Sequence, residues 1–128
     1  MVYRGEIRNR DFALQVRDFS GMCFGRITPT DIDGLIEYHD KGFLFIETKY
    51  QDSELPFGQR LALERVVDNL RKPAIGIIAS HDCTGDIDVA ATLVREFRYH
   101  EKWHTCNNKY TTREIAERFF RMLDIRYP

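Results

Sequence analysis

The chain has 128 residues, 43% of them apolar and 12% aromatic, which is enough for one folded domain and excludes intrinsic disorder. Its net charge of −1 argues against a simple polycation that coats nucleic acid, and no apolar run approaches the roughly 20 residues of a membrane span. The charged N-terminal stretch lacks the apolar region of a secretory signal, and the three cysteines form no CxxC pair, so we expect a cytoplasmic protein with reduced thiols.

The charges are distributed unevenly along the chain. Residues 27–59 carry seven acidic side chains against two lysines, whereas residues 95–128 carry eight basic against five acidic side chains. An acidic middle between basic ends is compatible with a cation site beside a surface that binds a polyanion. An uneven distribution of solvated charges by chance explains the pattern equally well.

Apolar periodicity predicts the first elements in chain order. Residues 10–19 carry an apolar stripe at helical spacing and predict a helix that ends before Gly21. Residues 32–38 and 43–50 predict two strands around a tight turn. Apolar residues at consecutive positions in FLFI indicate that the second strand is central and covered on both faces.

The second half predicts a parallel β-α-β unit and a final helix. Residues 56–70 predict a helix, and the apolar run at 74–80 predicts another central strand, so the two central strands should be parallel. Residues 89–104 favour strand or hairpin. A capping box at Thr111 and Glu114 starts the last helix, giving the order α-β-β-α-β-(β)-α in a two- or three-layer α/β domain.

The acidic segment 28–50 carries the most chemistry. A three-residue loop over residues 40–42, with Gly42 in the left-handed conformation, would pair Asp33 with Lys49. Side chains alternate along strands, so Asp33, Glu47 and Lys49 would then share one face of the sheet. Two carboxylates and a lysine at the end of an apolar strand pair are unfavourable unless a divalent cation compensates them. A surface ion pair between Glu47 and Lys49 is the alternative.

The spacing Asp33-x13-Glu47-x-Lys49, in a strand-hairpin-strand context, resembles the PD-(D/E)XK nuclease superfamily, and the resemblance covers about residues 10–80. The resemblance implies a restriction-endonuclease-like αβββαβ core with a central mixed β-sheet flanked by helices, as one domain over residues 1–128. It implies that Asp33 and Glu47 are metal ligands together with the Thr48 carbonyl, and that Lys49 is the catalytic lysine. Gln59 resembles the helix glutamine of RecB-like members, although an exposed structural glutamine is as compatible with the sequence.

Some members of the superfamily also use an acidic residue on the first helix, for which Glu6 and Asp11 are candidates here. Asp31 competes with Asp33 as the first acidic ligand, because both have the same strand parity. We favour Asp33 because its distance from Glu47 is nearer the family norm, whereas Asp31 is placed for an Asx turn after Pro29.

A second motif points to another class of enzyme. Residues 100–104 read HEKWH and match HExxH, which on a helix would bring His100 and His104 to a zinc ion with Glu101 as the general base of a peptidase. The surrounding β-propensity favours two strands that turn at His100 and Glu101, so we predict that the two histidines share no helical face.

Other reactive or aromatic residues have plainer explanations. A nucleophilic pair of His81 and Cys83 after the second central strand lacks an identifiable third residue, so a simple loop is favoured. Trp103, Tyr99 and Tyr110 are candidates for stacking on bases, but packing in the core is the more usual role of such residues.

These patterns predict a Mg²⁺- or Mn²⁺-dependent nuclease that hydrolyses DNA phosphodiester bonds. Arg8, Arg10, Arg60 and the C-terminal Arg/Lys set are candidate phosphate contacts, and the small size of the domain favours a homodimer. Duplex, branched and single-stranded DNA, and endo- or exonucleolytic cleavage, all stay open. A member of the superfamily that binds nucleic acid or a protein without cutting is the second alternative.

Overall fold

The computed structural model describes residues 16–128 and has a five-stranded mixed sheet with one helix on each face. The strands are β1 (Gly34–Tyr38), β2 (Gly42–Tyr50), β3 (Ala74–His81), β4 (Leu93–Tyr99) and β5 (Lys102–Thr105), and the helices are α1 (Phe57–Asn69) and α2 (Thr112–Arg126). The strands lie in sequential order, with β2 and β3 parallel and the other neighbouring pairs antiparallel.

The predicted hairpin forms, but its register differs by two residues from the prediction. β1 and β2 pair Tyr38 with Gly42 and Gly34 with Ile46, so the turn comprises residues 39–41 instead of 40–42. The left-handed conformation predicted for Gly42 is adopted instead by His39 and Asp40. A shift of two residues preserves the face of every side chain.

Gly42 lies at a position of β2 where a side chain would collide with neighbouring atoms. A β-carbon added there would lie 2.7 Å from Leu123 Cδ1 and 2.8 Å from the Pro73 carbonyl oxygen. The turn gains its own stabilisation from the Asp40 N–H, which donates to the Glu37 carboxylate at 2.5 Å. The glycine therefore serves close packing of α2 and of the residue before β3 against the sheet.

The predicted β-α-β unit is confirmed. β2 and β3 pair in parallel over their whole lengths, from Phe43 opposite Ala74 to Tyr50 opposite His81, and α1 connects them. The apolar runs of both strands are buried, as expected for central strands covered on two faces. α1 starts after Pro56 as its N-cap and ends before Pro73.

Each face of the sheet has its own apolar core, so the domain has three layers. On the α1 face, Leu63 and Val67 pack against Phe45 and Ile78. On the α2 face, the buried residues come from β2, β3, β4, α2 and the loop after β5: Leu44, Ile46, Ile75, Ile77, Ala79, Val94, Cys106, Ile115, Phe119 and Leu123. Alternation along β2 therefore sends odd-numbered side chains, including those of positions 47 and 49, toward α1.

The last part of the chain follows the prediction closely. β4 and β5 form the expected hairpin across residues 89–104, with His100 and Glu101 in the left-handed conformation at its turn. α2 begins at the predicted capping box, in which Thr111 Oγ1 accepts from the Glu114 N–H at 3.1 Å and the Glu114 carboxylate accepts from the Thr111 N–H at 3.0 Å.

The predicted N-terminal helix is wrong for residues 16–19, the part of it that the structure describes. Residues 10–15 lie outside the described residues, residues 16–19 are not helical, and a short 3-10 turn follows at Ser20–Met22. Asp18 accepts a hydrogen bond from the Ser20 N–H at 2.9 Å, a local bond that competes with the helical backbone pattern. Within residues 16–128 two strands precede α1, so the αβββαβ order is not seen there and the order is β-β-α-β-β-β-α.

Two further expectations can be compared. Cys23 and Cys83 are exposed, Cys106 is buried, and none of the three is paired with another cysteine. In the described part of the chain no helix has the length and apolarity needed to cross a bilayer.

Candidate functional site

The candidate site lies where β1 begins and β2 ends. Gly34 pairs with Ile46, and continuing this antiparallel register by one position sets Asp33 opposite Glu47. Opposite residues of an antiparallel pair project from the same face, so the two carboxylates are neighbours. The predicted hairpin is confirmed, and its register continues to Glu47 as the partner of Asp33 instead of the predicted Lys49; the shared face of the two carboxylates stays a prediction, because Asp33 lies just before β1.

Glu47 is buried, with 6% of its surface exposed. Burial raises the pKa of Glu47 to about 7, and the charges of Asp33 and Asp31 act in the same direction, whereas Lys49 and the Asp33 backbone N–H lower it. A carboxylate that is withdrawn from water beside a second carboxylate is costly to ionise. This cost is relieved when a cation binds between the two groups.

Asp33 is held in place by the strand opposite. Its Oδ2 accepts hydrogen bonds from the Thr48 backbone N–H at 2.7 Å and from Thr48 Oγ1 at 3.0 Å. The N–H and C=O of one strand residue point to the same side, so the Thr48 carbonyl is directed toward β1 as well. The predicted oxygen ligands Asp33, Glu47 and Thr48 thus come from two adjacent strand segments.

Lys49 lies on the same face as Glu47. Its Nζ is 4.0 Å from Glu47 Oε1, and 24% of its side chain is exposed. In the parallel ladder Lys49 is opposite Ser80 of β3. The ammonium group therefore lies beside the buried carboxylate while it keeps access to solvent.

Gln59 and Asp31 close the site from the side of α1. Gln59 is the third residue of α1, and its Nε2 donates to Asp31 Oδ1 at 3.2 Å. Its Oε1 is buried and has no hydrogen-bond partner among the described residues. Asp31, Glu47 and Gln59 line a cavity of about 120 Å³ together with apolar residues of α1. A buried acceptor without a partner costs free energy unless a ligand or water satisfies it.

The donor set fits a hard divalent cation. Mg²⁺ prefers oxygen ligands, takes one or two carboxylates and keeps several waters, and two carboxylates with a carbonyl are available here. Within residues 16–128 no group of three or more Asp, Glu, His or Cys side chains converges on one point. Both neighbouring carboxylates are held by hydrogen bonds, Asp31 by Gln59 and Asp33 by Thr48, and the charges of both act on Glu47.

Arg95 is a residue near the site that the sequence did not single out. The ladder pairs Ile78 with Glu96 and Ala79 with Val94, so Arg95 forms a bulge with no residue opposite. Its guanidinium donates to the Ser80 hydroxyl and to the backbone carbonyls of Gln51 and Ser53. Arg95 therefore holds the loop that leaves β2 after Tyr50, and neither the bulge nor these contacts have a signal in local sequence.

The two histidines of the HExxH motif do not share a helical face, as predicted. His100 lies in the β4–β5 turn and His104 lies in β5, where its Nε2 is 3.2 Å from the Tyr99 carbonyl oxygen. A zinc site of the HExxH type needs both imidazoles one turn apart on a helix. That geometry is not present at these residues.

Several other candidate residues have structural roles. Arg60 pairs with Glu96 at 2.6 Å and lies 4.1 Å from the centre of the Trp103 ring. Trp103 Nε1 donates to Glu64 at 2.8 Å, so its indole belongs to packing between α1 and the sheet. Its position therefore does not favour stacking on a base.

The remaining candidates divide into two groups. His81 and Cys83 line a separate cavity of about 400 Å³ at the carboxyl end of β3. Four candidate residues lie outside the described residues: Glu6, Arg8, Arg10 and Asp11.

Comparison with known proteins adds no further assignment. No protein-family model, curated protein or solved structure matches this chain significantly.

Proposed function

We propose that the protein is a Mg²⁺- or Mn²⁺-dependent nuclease of PD-(D/E)XK type that hydrolyses DNA phosphodiester bonds. The observation that carries the proposal is the position of the buried Glu47 carboxylate, beside Asp33 on the adjacent strand and 4.0 Å from Lys49 Nζ. A structural ion pair between Glu47 and Lys49 has no need of a second carboxylate beside the buried one, because the added repulsion destabilises the fold.

Each residue has a defined part in this reaction. Asp33, Glu47 and the Thr48 carbonyl would hold the divalent ion, which when bound would supply Lewis-acid stabilisation of charge on the phosphate oxygens. Lys49 orients the attacking water and offsets charge on the phosphoryl group. Water forms the new P–O bond, the bond to the leaving oxygen breaks, and protons exchange with solvent. Gln59 Oε1 accepts a hydrogen bond from a water in the cavity.

The proposal is tested with purified protein and circular single-stranded, supercoiled duplex and branched DNA in Mg²⁺, Mn²⁺ or EDTA. We expect at least one of these DNAs to be cut in Mg²⁺ or Mn²⁺ and none in EDTA. Glu47→Gln and Asp33→Asn should abolish cleavage, whereas Glu117→Gln on the exposed face of α2 serves as the matched control and should leave it unchanged.

Two outcomes would overturn the proposal in different ways. Binding of DNA without cleavage in either metal would favour a non-catalytic nucleic-acid-binding domain of the same fold. Cleavage that survives both Glu47→Gln and Asp33→Asn would place the active site elsewhere.

A further inference from the structure

A groove on the face of the sheet opposite Glu47 combines arginines with aromatic rings. It runs between α2 and the β4–β5 hairpin and consists of two adjoining hollows of about 430 and 370 Å³ that share Tyr99, Arg118 and Met122. We call it the α2–hairpin groove. Its other polar and aromatic lining residues include Phe97, His104, Tyr110, Arg121 and Arg126.

The part of the groove that lies along α2 is positively charged. Arg118, Arg121 and Arg126 are exposed on α2, and within the described residues none of the three has a carboxylate at salt-bridge distance. The described lining of the groove contains no Asp or Glu, whereas three other cavities among the described residues are each lined by at least two carboxylates. The charges are therefore available to an anionic partner.

The aromatic residues of the groove lie on the same face as these arginines. Phe97 and Tyr99 project from β4 toward α2. Each aromatic ring already has one neighbour over a face: His104 stacks on Phe97 at 4.9 Å and His100 on Tyr99 at 4.0 Å between centroids, and Arg118 lies 4.7 Å from the centre of the Tyr110 ring. Phe97, Tyr99 and Tyr110 are only partly buried. Ring surface thus borders the groove next to the guanidinium groups.

From this arrangement we infer that the α2–hairpin groove binds an unpaired DNA strand. Proteins that bind single strands combine a basic groove for the backbone with aromatic side chains on which bases stack. A duplex offers phosphates but keeps its base faces stacked inside, and an acidic peptide offers charge without planar bases, so the rings favour the single strand. The inference rests on the proposed nuclease function for its choice of DNA as the occupant.

The position of the groove sets its role. Glu47 and Lys49 project toward α1, so the groove lies on the opposite face and the scissile phosphate is not in it. β4 is two strands from β2, a lateral distance of about 10 Å. The groove would therefore hold an unpaired segment away from the point of cleavage and contribute to affinity without contributing to the chemical step.

The test is a binding titration in EDTA, where no cleavage takes place. A fluorescent oligothymidylate of about twelve nucleotides, within the range of common single-strand site sizes, is titrated with the full chain, and a duplex of the same length is titrated in parallel. We expect tighter binding of the single strand than of the duplex by the wild-type protein.

The double variant Arg118→Gln/Arg121→Gln should bind the single strand about tenfold more weakly, and the slope of log K against log salt should fall by about 1.4, about 0.7 for each phosphate contact. The matched control is Arg65→Gln/Arg71→Gln, which makes the same change in charge at exposed positions on α1 and just after it. This variant should change the affinity by less than about twofold. Tyr110→Leu should weaken binding at least about fivefold with an unchanged salt slope.

Several outcomes would overturn the inference. Equal losses of affinity in the test and control variants would show a general attraction between charges. A preference of the wild-type protein for the duplex would assign the groove to another partner. Displacement of the single strand by polyglutamate at equal charge would do the same. Binding in EDTA is independent of cleavage: a wild-type protein that binds as expected but cuts no DNA contradicts the proposed function alone. A protein that cuts DNA while Arg118→Gln/Arg121→Gln binds normally contradicts the groove alone.

Discussion

Glu47 is the residue at which stability and the proposed function are in conflict. It is the only buried carboxylate among the described residues, and it has Asp33 as a neighbour in addition to Lys49, whose Nζ lies 4.0 Å away. Apolar residues surround it on β2 and α1. A fold selected only for stability gains nothing from this carboxylate, whereas a cation site requires it.

Replacing Glu47 by glutamine should therefore stabilise the metal-free protein at neutral and higher pH. The pKa of Glu47 is raised from 4.5 to about 7, so the folded state holds the proton more tightly than the unfolded state. Stability from this group is full below about pH 4.5 and is lost as the pH rises through about 7. In EDTA at pH 8 we expect Glu47→Gln to raise the free energy of unfolding by about 1–3 kcal/mol, measured by urea denaturation.

The exposed carboxylate Glu117, which pairs with Arg113 on α2, provides the control. Glu117→Gln should lower the free energy of unfolding by at most about 0.5 kcal/mol at the same pH. Added Mg²⁺ should stabilise the wild type and reduce the advantage of Glu47→Gln. A variant Glu47→Gln that is less stable than the wild type in EDTA would make Glu47 a structural residue.

At the scale of elements, hydrophobic pattern and capping chemistry were enough to predict most of the described structure. The continuous apolar runs predicted β2 and β3, and the Thr111–Glu114 box fixed the start of α2 to the residue. The candidate pair Asp33 and Glu47 survived the error in register because the error was two residues, which keeps every side chain on its face; an error of one residue would have separated them.

The features that could not be predicted depend on tertiary contacts. The hairpin register depends on Gly42 packing against Leu123, a residue 81 positions away in the chain. The bulge at Arg95 depends on the loop after β2, and the buried Gln59 Oε1 depends on how α1 approaches the sheet. Local sequence carries no signal for such contacts, since each needs the rest of the fold in place.

Gly42→Ala tests the packing explanation of the register. The added methyl group would lie 2.7 Å from Leu123 Cδ1, which can shift, and 2.8 Å from the Pro73 carbonyl oxygen, which belongs to the backbone. We expect a loss of about 1–3 kcal/mol in the free energy of unfolding, the usual cost of overpacking.

Gly58→Ala is the matched control, because a β-carbon at this position of α1 meets no atom within 4 Å. Alanine favours the helix there, so stability should rise by about 0.4–1 kcal/mol. If Gly42→Ala is as stable as Gly58→Ala, the close approach of α2 to the hairpin is not what fixes the register.

At the scale of the whole molecule, one polar cluster joins the first hairpin to the last helix. The Tyr38 hydroxyl donates to Asp124 Oδ2 at 2.7 Å, and Lys41 Nζ lies 3.0 Å from Asp124 Oδ1. The ring of Tyr38 stacks on Phe120 of α2 at 4.2 Å between centroids. These contacts hold the hairpin that carries Asp33 and Glu47 against the remainder of the domain.

This cluster predicts a pH dependence with opposite signs at the two ends of the range. The hydrogen bonds from Tyr38 and Lys41 lower the pKa of Asp124 below 3.8, so its contribution to stability is present above about pH 3.8 and is lost as the pH falls through the lowered value. The bond to Asp124 raises the pKa of Tyr38 above 10.0, so that contribution is full below pH 10 and is lost as the pH rises through the raised value.

Thermal unfolding of the wild type and of Tyr38→Phe between pH 2 and 11 measures this contribution, and the ring stacking is retained in the variant. The wild type should be the more stable protein on a plateau between about pH 4 and 10, and the difference should shrink at both ends. A difference that stays constant through both ends would mean that the hydroxyl acts without Asp124.

The most direct test of the nuclease proposal is the rate of DNA cleavage by Lys49→Ala at saturating Mg²⁺. Removal of the ammonium group beside Glu47 leaves the two carboxylates and should leave folding and metal binding largely intact. The rate should nevertheless fall about a hundredfold or more, because one preorganised electrostatic contact to the transition state is lost. Lys72→Ala, a surface lysine paired with Asp40 near the opposite end of the sheet, should cut at the wild-type rate. Cleavage by Lys49→Ala as fast as by the wild type, at the same Mg²⁺ concentration, would contradict the account.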